Sequence, residues 1–384
     1  MVNLNKQTQH DFLTNYQDKK PYLFKNIAGI DWFDWLQINQ IIERADIISD
    51  DFKIAHQGIV EKHHYVESFI EVGMLRHRLI KPAVYNLLQN GATVIANKII
   101  NEPAVDHFAR QIAQMTNRQT VSSMYVAFGD KDSYKAHWDT RDVFAIQIKG
   151  RKRWVIYQPT FPNPLYMQQS KYYEDTHPCP KEPIMDIVLE AGDMLYIPCG
   201  WWHNPSPLGE ETVHLAIGTF PAFGLDYTEW LSQKLPEILA IRKPLSNWQN
   251  DQENIQSLAN NIANIIANKT NYDQFMQEFI ANHRLPSKLN LELLGNNQVS
   301  KLPLSATLRL NSTQSYDDDS EYIITNGIKL NLDSDLKSVL IHIAKNPNIS
   351  VDEILTVTNA IDTDKIAKTL YTLCANDVLE VVKY

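Results

Sequence analysis

The sequence is short of the features that tie a chain to an oxidising, membrane-bound or polyanionic setting. Its 384 residues hold 3 cysteines, Cys179, Cys199 and Cys374, with no CxxC pair. Neither a disulfide scaffold nor a zinc ribbon is expected, and a reducing compartment is the default. No stretch approaches the ~18 apolar residues that a membrane span needs, and residues 1–20 lack the apolar segment of a secretory leader. A cytoplasmic location follows as the expectation. Basic residues are outnumbered, 36 Lys and Arg against 45 Asp and Glu for a net charge of −9, which argues against a dedicated polyanion binder. Internal repeats and low-complexity tracts are missing as well. The Asn- and Ile-rich stretch 245–272 is compositional bias only.

What remains is an ordinary globular composition, 44% hydrophobic and 21% charged, in a chain long enough for one large domain and one or two smaller ones. Residues 8–100 read as mixed, with a helical spacing over Asp34–Glu43 and another over Asn101–Thr116. From Val121 the period changes. Val121–Phe128, Asp142–Lys149, Arg153–Tyr157, Asp186–Leu189, Asp193–Ile197 and Thr212–Phe220 are short runs rich in β-branched and aromatic residues. Turn signals such as Lys149-Gly150-Arg151-Lys152 punctuate them, so a double-sheet β-barrel or jelly roll is predicted. After Pro221, Leu225–Arg242, Asp251–Asn268 and Tyr272–Ala281 read as amphipathic helices. The polar run 311–320 reads as a loop. Helices over Asp335–Lys345, from Ser350 with its capping box to Glu353, and over Asp362–Ala375, then a strand over Val378–Val382, suggest a winged helix. Residues 301–384 hold 8 Lys and Arg against 12 Asp and Glu. Direct nucleic-acid binding, which needs a basic surface, is therefore disfavoured over a protein-contact or structural role.

The chemistry concentrates in His137-Trp138-Asp139 and the later Gly200-Trp201-Trp202-His203. A lone HxD is near chance expectation. Alternate residues of an extended segment point the same way, however, so His137 and Asp139 can enter a barrel mouth together. His203 follows a strand ending at Pro198 and a Gly-containing turn, with two aromatics beside it able to wall off the site. Two imidazoles and one carboxylate form a facial triad that leaves metal positions open. The competing histidines are weaker candidates. His63 and His64 are adjacent, His177 lies in a Pro-rich loop, and His214 sits inside an apolar strand as a packed neighbour. Lys152 is opposed by alternation to Arg151 and Arg153. It is either an inward cation for a dicarboxylate or a solvent-facing hairpin lysine.

The run His137–Trp154, with Gly192–His203, resembles the Jumonji-C (JmjC) oxygenases, specifically their ribosomal-oxygenase (cupin-4) branch. The likeness is detailed over about residues 120–224. It is weaker at Phe12–Pro21, and it extends to the order of helical segment and winged helix near the C-terminus. It implies a double-stranded β-helix core in a catalytic domain over 1–224, a helical dimerisation segment over 225–300 and a winged-helix-like domain over 301–384. It implies Fe(II) held by His137, Asp139 and His203, and 2-oxoglutarate paired with Lys152. Tyr125 matches a cosubstrate-holding position. Ser123 falls where some relatives have an amide, and Gly218, beside Thr219, where several have a Ser. Ser123 and Thr219 complete the implied cosubstrate set.

The implied activity is that of an oxidoreductase, a dioxygenase that converts 2-oxoglutarate to succinate and CO2 while hydroxylating a protein or peptide side chain, with ribosomal proteins first among substrates and a homodimer as the assembly. A metal-dependent cupin enzyme acting on a small molecule would need no Lys152. A non-catalytic JmjC-fold interaction module would keep the fold and could keep a silent site.

Overall fold

Uninterrupted apolar runs build the centre of the chain, because a strand covered on both faces has no need to alternate. In this computed structural model, residues 6–130, 135–295, 301–357 and 363–384 are described. The chain divides into two compact units, Met1–Phe220 and Pro221–Tyr384. The first unit carries strands β1 (Tyr22–Phe24), β2 (Phe52–Ala55), β3 (Val66–Glu71), β4 (Met74–Leu79), β5 (Thr93–Ile99), β6 (Gln119–Ala127), β7 (Asp142–Lys149), β8 (Lys152–Tyr157), β9 (Met185–Leu189), β10 (Met194–Ile197), β11 (Trp202–Pro207) and β12 (Thr212–Phe220). The long central strands β7 and β12 run where the apolar pattern places them.

Seven strands form one sheet in the order β1-β10-β7-β12-β6-β5-β2, and three form a second in the order β11-β8-β9. All the pairings are antiparallel. Ala145, Trp154, Ile156, Leu189, Leu195 and Ile197, drawn from both sheets, pack into one cluster, which makes a two-layer jelly-roll core of the cupin type. The other face of the large sheet packs Phe144, Tyr196, Leu215 and Ile217 against Phe12 and Phe108. These last two come from the helices Lys6–Asn15 and Pro103–Thr116. The helix expected from Asp34 begins at Trp35, with the Asp34 side chain capping it.

Alternation then sorts the side chains. On β12, Val213, Leu215 and Ile217 join the outer core, so His214, Ala216 and Gly218 face the space between the sheets. On β8, Trp154 and Ile156 face that space, and Lys152 with them. Arg153 points outward and pairs with Asp186 at 2.7 Å.

In the second unit, the helix expected over Leu225–Arg242 is broken. Gly224–Ser232 is followed by a 3-10 turn at Leu235–Glu237 and a short helix at Leu239–Arg242. Pro236, inside that turn, has no amide hydrogen with which to continue an α-helix. Helices Trp248–Ile266 and Lys269–Ala281 come next. The strand Thr307–Leu310 pairs with Ile349–Ser350 on one side and Leu379–Lys383 on the other. Helices Ser334–Lys345, Val351–Val357 and Thr363–Ala375 pack on it around Leu308, Leu340, Ile354 and Leu370, a winged-helix-like arrangement. Asp362, the expected start of the last helix, lies outside the described residues. The Ser350 capping box forms, Ser350 N donating to Glu353 and Glu353 N to Ser350 Oγ. A hairpin of Tyr322–Thr325 with Ile328–Asn331 is an addition to the expected elements.

Candidate metal centre

Backbone pairing creates the site. His137 N donates to His203 O at 3.1 Å and His203 N to His137 O at 2.8 Å, an isolated antiparallel bridge outside the named strands. Residues exchanging both bonds stand directly opposite each other, and the two imidazoles lie 4.4 Å apart between ring centroids. Gly200 N donates to Asp139 O at 2.9 Å, so the same two segments are tied a second time. Gly200 has φ +81, and a Cβ there would lie 2.7 Å from Pro164 Cδ and 2.9 Å from Phe161 O. Only glycine fits this turn.

One ligand atom each from His137, Asp139 and His203 falls within 4.8 Å of the others. His203 Nε2 is 3.5 Å from Asp139 Oδ2. The Nδ1 of His137 donates to Lys135 O at 2.9 Å and that of His203 to Trp201 O at 3.0 Å. Both rings are thereby set in the tautomer that leaves an Nε2 lone pair facing the triad. Burial, and then the His137 charge, push the His203 pKa down to about 4, so its imidazole is neutral and ready to ligate. Burial pulls the Asp139 carboxyl upward, but Arg141, His203 and His137 together outweigh it and hold it below its usual value. Two imidazoles and a carboxylate converging on one point fit a divalent metal of the iron type.

Behind the triad, Asp142 is buried and accepts from the Tyr196 hydroxyl at 2.7 Å, Arg118 Nη1 at 2.9 Å and Cys199 N at 2.9 Å. It anchors the turn that delivers His203. Trp138 points away from the metal position. It stacks on Phe161 at 5.9 Å, meets Trp202 edge-on at 4.7 Å and donates from Nε1 to Gln168 O. Trp202 therefore secures the loop 158–184 through Trp138 and Thr160, while Trp201 packs toward the inner cluster.

Lys152 is buried at 5% exposure. His214, on the inward face of β12, lies flat on Tyr125 at 4.7 Å and edge-on to Trp154 at 5.4 Å. Burial, and then the Lys152 charge, lower its pKa well below the ordinary value. Ser123, buried, is paired in register with Ala216 on that inward face. Thr219 is placed otherwise. It is fully buried but two residues on from Ile217, on the outer face, with Asp142 opposite it in register. Alternation turns it away from the space that Gly218 borders. His214 is the packed neighbour that its apolar strand suggested, whereas the contributions of Arg141 and Asp142 were not read from the sequence. The inward alternation of Arg141 with Asp139 was the available signal.

Comparison with known proteins follows this geometry. A JmjC domain family model matches residues 94–226. Two curated relatives, both described as bifunctional lysine-specific demethylase and histidyl-hydroxylase NO66, are 24% identical: one from Aedes aegypti over 55% of this chain and 33% of its own length, one from Drosophila persimilis over 63% and 36%. The chain thus spans about a third of the length of the curated relatives it matches. The ribosomal oxygenase YcfD from Escherichia coli, solved with cobalt and 2-oxoglutarate, superposes over 100% of this chain and 99% of its own, with a TM-score of 0.59 and 16% identity. The cobalt and succinate complex gives 0.58 at the same identity and coverage. Residues 94–226 thus match the JmjC domain family, and the chain shares its fold with that ribosomal oxygenase.

Proposed function

We propose that the chain is an Fe(II)- and 2-oxoglutarate-dependent oxygenase that hydroxylates a protein or peptide side chain, with ribosomal proteins as the first substrates to test. The observation that carries this reading is the convergence of His137, Asp139 and His203, with the buried cation Lys152 on the inward face of β8. When bound, iron with 2-oxoglutarate would activate molecular oxygen, the oxidant for a C–H hydroxylation. The chain supplies the rest. The bridge between His137 and His203 presents two imidazoles of set tautomer. Lys152 offers its ammonium to the distal carboxylate of the cosubstrate, and Tyr125 and His214 give that end a flat wall. Ser123 lies on the same inward face. The Trp138-anchored loop 158–184 shields the mouth from water.

The relatives and the structural neighbour named above support the substrate class through their own descriptions. We assign residues 1–224 to catalysis, 225–300 to homodimerisation and 301–384 to a contact or structural role, in a cytoplasmic protein. The amphipathic helix Trp248–Ile266, with no fully buried side chain, supports the second assignment. Among the described residues no helix is long and apolar enough to cross a membrane.

Incubation with Fe(II), 2-oxoglutarate, oxygen and ribosomal proteins should add the mass of one oxygen atom to a substrate and yield stoichiometric succinate. His137→Ala should abolish both. Wild-type protein that gives no visible charge-transfer band with Fe(II) and 2-oxoglutarate under anaerobic conditions would sink the reading.

A further inference from the structure

The mouth of the site holds a second cation. Arg141 begins two residues after Asp139 and points inward, and its side chain lies across Gly218 on β12. A Cβ on Gly218 would sit 2.5 Å from Arg141 Nε and 2.6 Å from its Cδ, so the missing side chain is what gives the arginine its bed. The guanidinium carbon is 6.0 Å from the centre of the Phe220 ring. Arg141 forms no ion pair among the described residues, and its Nε is buried without a hydrogen-bond partner. A buried donor on a permanent cation is costly to leave unmet. Its neighbour Asp139 is committed to the triad, so the missing partner is an anion that arrives from outside.

We infer that Arg141 binds the carboxylate at the metal-facing end of 2-oxoglutarate, opposite the end held by Lys152. The inference rests on the oxygenase reading. A dicarboxylate held between two cations has one charge for each. The end that meets the triad brings a second carboxylate beside Asp139, where like charges repel unless a cation lies between them. The Arg141 guanidinium offers paired donors suited to a carboxylate.

The test is binding, measured without turnover. The full chain is loaded with Mn(II) and titrated anaerobically with 2-oxoglutarate in a calorimeter. Arg141→Met should weaken binding about tenfold or more, in the range of a lost charge-assisted hydrogen bond, and Arg141→Lys should recover part of the loss. Gly218→Ala places a methyl where Nε lies, so it should weaken binding in the wild type and add nothing in Arg141→Met. Lys152→Met is the reference for the other end, and circular dichroism shows that each variant is folded. Folded Arg141→Met that binds 2-oxoglutarate as tightly as the wild type, while Lys152→Met has lost it, overturns the assignment of Arg141 and leaves the oxygenase reading standing. Wild-type protein that fails to bind 2-oxoglutarate overturns both.

Discussion

Single side chains decide the chemistry of this site because each has been placed in a state it would not hold in water. Asp142 is the sharpest case. Burial, and then the nearby Asp18 charge, raise its carboxyl pKa to about 6 against the pull of Arg118, Tyr196 and the Cys199 amide. A folded-state value above the unfolded one means that the folded chain holds the proton more tightly between the ordinary value of 3.8 and about 6. The stability so contributed is complete below 3.8 and is lost as pH rises through 6. Asp142→Asn cannot titrate. Its stability deficit relative to the wild type should therefore shrink by about 1–3 kcal/mol between pH 4.5 and 7.5, measured by urea unfolding of the first unit. A deficit independent of pH would show that Asp142 stays ionised throughout. Asp142→Ala should do more harm at every pH, because Arg118 and the Cys199 amide lose their acceptor.

Elements carry these residues into register, and here local and non-local causes separate. Strands β7 and β12 were legible to the residue at both ends, since long β-branched runs have no competing helical period. The triad was legible as well, because HxD on an extended segment was joined by a histidine after the Gly200 turn and by the resemblance that links the two. The bridge that sets His137 against His203 was not: it joins residues 66 positions apart and leaves no mark on either segment. The hairpin at 322–331 did leave one, the Asn326-Gly327 pair, with φ of 37 and 92, which is the signal of a two-residue turn. Thr219 entered the cosubstrate set through the resemblance, as the neighbour of Gly218, and the strand register turns it to the outer face. The turn at Gly200 is the element on which the site leans most. Gly200→Ala must strain a left-handed backbone and push into Pro164 and the Phe161 carbonyl. A cost of about 1–3 kcal/mol is expected, with weaker Mn(II) binding by calorimetry, as His203 moves with the turn. Loss of stability with unchanged metal affinity would show that the turn and the ligand are uncoupled. Trp138→Ala should cost about 3–5 kcal/mol and expose the loop 158–184 to proteolysis, whereas Trp138→Phe should retain part of the stack on Phe161.

At the scale of the whole chain, acid sensitivity is distributed over both units by the same device, a histidine buried in its neutral form. His203 in the first unit and His283 in the second are each pushed down to about 4, burial being the first cause in both. In His283 the neighbouring Arg284 adds to it, and Nδ1 contacts Thr313 Oγ1 at 3.2 Å. A folded value below the unfolded 6.5 means that the unfolded chain takes up the proton first. Stability is complete above 6.5 and falls as pH drops toward 4. The full difference for His283 is about 3 kcal/mol, large against the 5–15 kcal/mol that ordinarily holds a domain together. The two units should respond differently to metal, because a divalent ion competes with protons only where it is liganded. Hydrogen exchange across pH 7 to 4.5 should show amides of the first unit losing protection in the free protein and keeping it with saturating Mn(II). Amides around 307–331 should lose protection in the free protein, and His283→Gln should flatten that loss. If His283→Gln leaves the acid sensitivity of 307–331 unchanged, the charge that opens this region lies elsewhere, and the buried imidazole is only a packing residue.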